Sequence, residues 1–157
     1  MEAVCKPIGK AVQENGRYYI QLEGKYAEGL LRLDDFSHIL AVWWFHLSDN
    51  EQDREHFVMD APYRDGPEKI GVFASRSQNR PNPIAVTACA LLAVDRENNR
   101  VEVNYLDAEA GTPVLDIKPY HPSSDRIRDV VMPAWCAQLP ACYEDSGAFD
   151  WSTVFNW

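Results

Sequence analysis

The side chains whose types and spacing could do chemistry fall in two stretches, Ile70 to Ile84 (IGVFASRSQNRPNPI) and Leu106 to Tyr120 (LDAEAGTPVLDIKPY). Each joins a short apolar run of strand type to a cluster of Arg, Asn, Asp, Pro and Lys that a core cannot hold unpaired. Both clusters are therefore expected at strand ends. Arg76 and Arg80 lie four residues apart in a segment stiffened by Pro81 and Pro83. A guanidinium offers paired donors that match a carboxylate or a phosphate, so the two form a candidate oxyanion clamp. The alternative is an exposed pair with local salt bridges to Asp65 or Glu68. In the second stretch Asp107, Asp116 and Lys118 flank a turn, either as ligand contacts or as a polar network that holds the loop.

Other chemistries find less support. His38 and His46 stand eight residues apart in one apparent strand, with His56 nearby. Eight strand residues span about 26 Å, and the sequence has no H-x-H, H-E-x-x-H or Cys/His pair, so no metal site is expected. Ser75 and Ser77 lack a G-x-S-x-G elbow, and the eight glycines are too scattered for a phosphate-cradling loop. Cys5, Cys89, Cys136 and Cys142 form no C-x-x-C pair and read as free thiols of a reducing compartment, with Cys89 a small core residue in a strand.

The elements that must position these groups are mostly strands. Pro7 to Val12 and Arg17 to Leu22 flank an Asn15-Gly16 turn, which specifies a hairpin. Tyr26 to Leu33 reads as a short helix. The apolar run Ile39 to Leu47 predicts a strand covered on both sides. Phe57 to Met59 and Ile70 to Phe73 are shorter strands, and Ser48 to Glu55, Pro62 to Lys69 and Ala74 to Pro83 are loops. Ile84 to Val94 and Arg100 to Leu106 make a second hairpin, Val114 to Lys118 follows as a strand, and Ser123-Ser124-Asp125 predicts a cap for a helix over Arg126 to Val130. Six to eight short strands with brief helices indicate an antiparallel, mainly β domain, closed or barrel-like.

The chain has 157 residues, the size of one domain, with 46% hydrophobic and 25% charged residues. Residues 1–131 are expected to form the β domain. Residues 132–157 are expected to form an aromatic-rich tail, with Phe149, Trp151, Phe155 and Trp157, that packs on the barrel or on a partner subunit. No apolar run approaches the roughly 20 residues of a membrane span, and the first residues have no signal-peptide pattern, so a cytoplasmic location is expected. A net charge of -9 argues against a surface that grips nucleic acid everywhere. The window 61–80 is nevertheless net positive, with Arg64, Lys69, Arg76 and Arg80 against Asp65 and Glu68.

The runs GVFASRSQNRPNPI and LDAEAGTPVLDIKPYHP, in this order, resemble the TrmO family, also called YaeB-like or TsaA-like proteins. Members of that family show GVFATRSxxRPNPIG and LDxxDGTPVLDIKPYxP. The likeness continues in YAEGLLRLDDFSHILAVWWFH and in PIGKAV, and covers Pro7 to Arg126. It departs at Ala110, where the family carries Asp, and at Asn15-Gly16, where members often have a basic P-R-Q segment.

The resemblance implies a single-sheeted antiparallel β-barrel with short peripheral helices, dimeric, binding S-adenosylmethionine. It further implies a methyltransferase acting on N6 of the threonylcarbamoyl-modified adenosine at tRNA position 37. Carried over by motif, Phe45, His46, Arg76, Val86, Asn104, Tyr105, Leu106 and Asp107 would line the cofactor pocket, while Arg80, Asn82, Lys118 and Tyr120 would serve substrate or site architecture. In-line methyl transfer needs mainly positioning, so no nucleophilic side chain is required. The N6 proton must leave, and His46 or Asp116 are the candidate acceptors. The alternatives are a non-catalytic S-adenosylmethionine-binding module and a methyltransferase with a different acceptor.

Overall fold

A computed structural model describes residues 4–156; Met1 to Ala3 and Trp157, the last aromatic of the expected tail, lie outside the described residues. Six strands close into an antiparallel barrel. They are β1 (Gly9–Glu14), β2 (Arg17–Leu22), β3 (His38–Trp44), β6 (Ile84–Asp95), β7 (Arg100–Val103) and β8 (Pro113–Pro119), in the order β1-β2-β7-β6-β3-β8. Strands β4 (Val58–Asp60) and β5 (Lys69–Gly71) form a separate two-stranded sheet. The barrel and its few short helices agree with the fold that the motifs implied.

Period-two alternation builds the core. Ile20 and Leu22 of β2, Ile39, Ala41 and Trp43 of β3, Cys89 of β6, Val101 and Val103 of β7 and Val114 of β8 all point inward and are buried. Burial pushes the Cys89 thiol up to about 12, so it packs as a neutral core residue. β3 alternates strictly between buried and half-buried positions, so only one of its faces is fully covered, contrary to the expectation of two. The aromatic and aliphatic side chains hide the alternation, because Leu40, Val42 and Trp44 occupy the outer wall.

The first hairpin turns where its Asn-Gly pair predicts, with positive φ at Asn15 (51°) and Gly16 (75°). The barrel seam lies between β1 and β8, where Gly9 pairs with Val114 on one side and Leu22 on the other. A Cβ on Gly9 would meet the Gln21 carbonyl oxygen at 2.1 Å, so the seam requires a residue without a side chain.

Several boundaries differ from expectation. β3 ends at Trp44, and His46 belongs to a 3₁₀ turn over His46–Ser48; His38 and His46 are therefore not on one strand. The loop after it contains a single-turn helix, α1 (Glu51–Arg54), because Asn50 accepts from the Asp53 amide at 3.0 Å. β7 ends at Val103 rather than Leu106. The expected helix over Arg126 to Val130 is replaced by α2 (Pro122–Asp125), which starts at the proline; Asp129 has a φ of 54° and helical backbone does not continue. The segment after residue 132 folds back on the loop that follows β4. Tyr63 bridges to Phe155, Arg64 N donates to the Val154 carbonyl at 2.8 Å, and Tyr63 packs on Trp135 at 4.6 Å. Among the described residues no helix is long and apolar enough to cross a membrane.

Gly9→Ala is expected to destabilise the fold by about 1–3 kcal/mol, the range for forcing a group into filled space. Gly71, with φ −70° and nothing near its missing Cβ, is expected to accept alanine at little or no cost. Urea unfolding of the two variants decides; equal stabilities would show that the seam does not depend on Gly9.

Candidate functional site

The site lies at the barrel end where β3 and β7 stop. Phe45 leaves the strand with φ −70° and ψ 67°, while its amide donates to the Pro83 carbonyl at 2.8 Å. The following 3₁₀ turn is fixed by Ser48, buried, whose amide donates to the Phe45 carbonyl at 3.0 Å. This turn carries His46 and Leu47. At the end of β7, Asn104 substitutes its side chain for a strand partner: its Oδ1 accepts from the Ala90 amide at 2.8 Å, and its own amide donates to the Ala90 carbonyl at 3.1 Å. The chain then runs through Tyr105, Leu106, Asp107 and Glu109 to Thr112, which is buried and donates its amide to the Glu109 carbonyl at 3.1 Å. Gln13 and Tyr18 arrive from the first hairpin, where they are paired in register. Gln78 comes from the loop 74–83.

Together these segments enclose a cavity of about 350 Å³. Its lining has four aromatic rings (Tyr18, Trp43, Phe45, Tyr105), two carboxylates (Asp107, Glu109), His46, Gln13 and Gln78, and neither lysine nor arginine. The rings stand in two edge-to-face pairs, Tyr18 with Tyr105 at 5.2 Å and Trp43 with Phe45 at 4.5 Å. Trp43 is locked by donation from its indole nitrogen to Thr87 Oγ1 at 2.9 Å. The Tyr105 hydroxyl donates to Asp107 Oδ1 at 3.0 Å, and burial first, then the Asp107 charge, push the phenol up to about 12. It therefore stays a donor across the physiological range. The cavity is shaped for a ligand with flat surfaces and positive charge, since rings and carboxylates both attract a cation.

The expected site residues divide into groups. Phe45, His46, Tyr105, Leu106 and Asp107 line the cavity; Asn104 does not, its side chain being engaged with the Ala90 amide and the Tyr143 hydroxyl. Arg76 and Val86 meet each other elsewhere: Arg76 Nη2 donates to the Val86 carbonyl at 2.6 Å on the outer side of β6. Arg80 Nη1 donates to the Ser77 carbonyl at 3.3 Å. Among the described residues neither guanidinium is paired with a carboxylate, so the local bridges to Asp65 or Glu68 do not form. Asn82 is exposed, and its carbonyl accepts from the Ile84 amide at 2.7 Å. Asp116 and Lys118 pair with each other at 2.6 Å, beside Val42 and Leu40 of β3 and outside the cavity lining. Tyr120 is level with His38 at the far end of β3, its amide 2.9 Å from the His38 carbonyl. That is seven strand residues from Phe45, roughly 23 Å at strand rise.

The lining residues that sequence reasoning missed, such as Gln13, Tyr18, Gln78 and Glu109, carry no motif. Gln13 and Tyr18 could have been placed from the hairpin register alone, because the two-residue turn forces them opposite each other.

Comparison with known proteins gives this geometry its relatives. Residues 2–126 match the family model described as the tRNA-methyltransferase O N-terminal domain. A probable S-adenosyl-L-methionine-binding protein of Pyrococcus abyssi is 34% identical, with 82% of this chain and 65% of the relative covered. The tRNA (adenine(37)-N6)-methyltransferase of Escherichia coli is 32% identical, with 81% of this chain and 54% of the enzyme covered. A crystal structure of TrmO from Pseudomonas aeruginosa superimposes with a TM-score of 0.65 at 26% identity, covering 85% of this chain and 62% of that one. The chain thus spans less than two thirds of the length of each of these three. With most of its length matched by the family model and its barrel shared with the solved structures, the chain belongs to the TrmO family.

Proposed function

We propose that the cavity binds S-adenosylmethionine and that the protein transfers its methyl group to N6 of threonylcarbamoyladenosine in tRNA, in the cytoplasm. The observation that carries this reading is the lining itself, four aromatic faces and two carboxylates with no basic side chain. S-adenosylmethionine presents a flat adenine, a sulfonium and an ammonium, which such walls suit, and about 350 Å³ falls within the roughly 300–1,000 Å³ of small-molecule sites. Names given to relatives, one for S-adenosylmethionine binding and one for tRNA methylation, point the same way.

When bound, S-adenosylmethionine supplies an electrophilic methyl carbon that N6 attacks in line, with the carbon–sulfur electron pair returning to sulfur. The residues of this chain have positioning tasks. Asp107, held by Tyr105, is placed to take the ammonium or a ribose hydroxyl. The aromatic pairs Tyr18/Tyr105 and Trp43/Phe45 would hold the adenine and offer ring faces to the sulfonium. His46, exposed on the cavity rim, is the better placed of the two candidate acceptors for the N6 proton, because Asp116 is already paired with Lys118. Arg80 and Asn82 lie on the exposed loop beside the rim, where an anionic RNA backbone or the threonyl carboxylate would arrive.

A second copy of the chain belongs to this reading. Val86, to whose carbonyl Arg76 bonds, is exposed, as are Phe57 and Phe73 (81%) around Val72 earlier in the same segment. Because Arg76 lies outside the cavity of its own chain, a symmetric dimer that brings it to the partner's cavity would reconcile its motif with its position.

Titration calorimetry with S-adenosylmethionine is expected to show micromolar-range binding that Asp107→Asn weakens by about 1.5–3 kcal/mol, the value of a charge-assisted hydrogen bond; no binding to the parent protein would sink the reading. Labelled cofactor incubated with total tRNA should mark only tRNA that carries the threonylcarbamoyl group. Binding without transfer to any RNA would leave a cofactor-binding module instead. Arg76→Ala should weaken binding to a similar degree, and mixing Arg76→Ala with Asp107→Asn protein should restore part of the activity, since mixed dimers contain one intact site. Absence of restoration, with exchange of subunits verified, would place Arg76 outside any shared site.

A further inference from the structure

Two of the cavity's walls, the turn after β3 with His46 and the loop 74–83 with Gln78, lie beyond the end of the β3–β6 ladder at Trp44 and Ile84. One side chain spans them. Arg54, on the single-turn helix α1, donates from Nε to Asp49 Oδ1 at 2.5 Å and from Nη1 to the Pro81 carbonyl at 3.2 Å. Its guanidinium also lies over the Trp44 ring, 5.6 Å from the centroid. Asp49 in turn accepts from the Trp44 indole nitrogen at 2.8 Å on its other oxygen, so both carboxylate oxygens are engaged. The Arg54 and Trp44 hydrogen bonds, in that order, hold the Asp49 carboxyl below the usual carboxylate range.

Helix α1 is too short to be stable by itself, and it exists because Asn50 caps it from both ends of the side chain, accepting from the Asp53 amide and donating from Nδ2 to Asp53 Oδ2 at 2.7 Å. Its orientation aims Arg54 at the loop. The backbone bond from Phe45 to Pro83 is the other tie, and it fixes only the last residue of that loop. The portion that carries Arg76, Gln78 and Arg80 is tied to β6 by Arg76, whose Nη2 donates to the Val86 carbonyl, and is otherwise held by local bonds, Ser75 Oγ to the Val72 carbonyl and the Ser77 and Asn79 amides to the serine hydroxyls; none of these reaches the end of β3.

We infer that Arg54 is a positioning residue, a latch that holds the loop 74–83 against the end of β3 and thereby sets the width of the cavity. It touches no ligand itself. A planar fork with several donors can serve Asp49, Pro81 and Trp44 at once; a lysine ammonium cannot reproduce that spread. The consequence for the ligand rests on the reading of the cavity as an S-adenosylmethionine site, whereas the latch itself does not.

Two measurements on the full chain separate these. Hydrogen exchange without ligand should be at least tenfold faster for the amides of residues 75–80 in Arg54→Gln, with the barrel strands unchanged. Calorimetry with S-adenosylmethionine should give about tenfold weaker binding for Arg54→Gln, with Arg54→Lys recovering little and the melting temperature shifted by no more than a few degrees. Asp49→Asn should resemble Arg54→Gln, and the double variant should be no worse than either single one, as for groups acting through one contact. Unchanged exchange at 75–80 would overturn the latch. Faster exchange with unaltered affinity would overturn its role in the site. If the parent protein fails to bind S-adenosylmethionine while exchange responds as expected, the functional reading falls and the latch stands.

Discussion

The end of β3 is the fixed point on which the rest of the site depends. This strand is bonded on both edges, to β6 along its whole length and to β8 over most of it. It cannot slide or tilt without breaking two ladders, so the positions of Phe45 and His46 immediately beyond it are set by the barrel. The register shift against β8 between Val42 and Trp43 lies just before this end, the place where bulges redirect side chains toward a site. The extra residue of this shift is Leu115 of β8, whereas Trp43 points inward as the next buried position of β3's unbroken alternation, and its indole is anchored to Thr87 of the neighbouring strand. The other walls are referred to this one: Pro83 bonds to Phe45, and Arg54 reaches from the following turn to Pro81.

Charge is partitioned around that fixed point. The chain carries a net charge of -9, and the cavity follows the bulk of the protein in presenting carboxylates without cations. The loop 74–83 runs opposite, with two guanidiniums bonded to backbone carbonyls. A carbonyl satisfies donors of the guanidinium but neutralises none of its charge, so the positive potential of this loop persists beside an acidic mouth. Under the proposed function this arrangement would receive a cationic small molecule and an anionic polymer at adjacent positions. A uniformly acidic or basic surface would repel one of them.

The fold was largely legible because strands advertise themselves by turn chemistry and inward alternation. Asn15-Gly16 fixed the first hairpin, and the apolar runs placed β3 and β6. Errors fell where tertiary context outweighs local pattern. Apolar residues continue past Trp44, so periodicity alone could not end β3 there; Pro83 accepts from the Phe45 amide but has no N–H to return, and Phe45 turns out of extended geometry at ψ 67°. Ser123 and Ser124 resembled caps, but Pro122 favours the first helical position and drew the helix earlier. Residues of the site were legible where a motif marks them, as at Asp107. Gln78 and Glu109 are surface-type residues that became lining only because the loops bearing them close over the barrel mouth, and no local signal encodes that closure.

The split of the motif residues into a cavity set and an outer set has a physical reading. Phe45, His46, Tyr105 and Asp107 share the barrel mouth, while Arg76 and Val86 stand together on the outer wall of β6. A guanidinium with 2.6 Å contact to a carbonyl is held in place, not searching for a partner. Arg76 and Val86 are exposed here, and Phe73 on the preceding 3₁₀ turn is 81% exposed; covering such apolar area is favourable, but the cation then loses water unless an anion meets it. Coverage by a like wall alone would bury two like charges, which is unfavourable. The coverage proposed above, which sets the cation against an acidic mouth, would meet both demands, since Asp107 and Glu109 supply the opposite sign. In the proposed dimer, the acidity of the cavity and the exposure of Arg76 would be complementary.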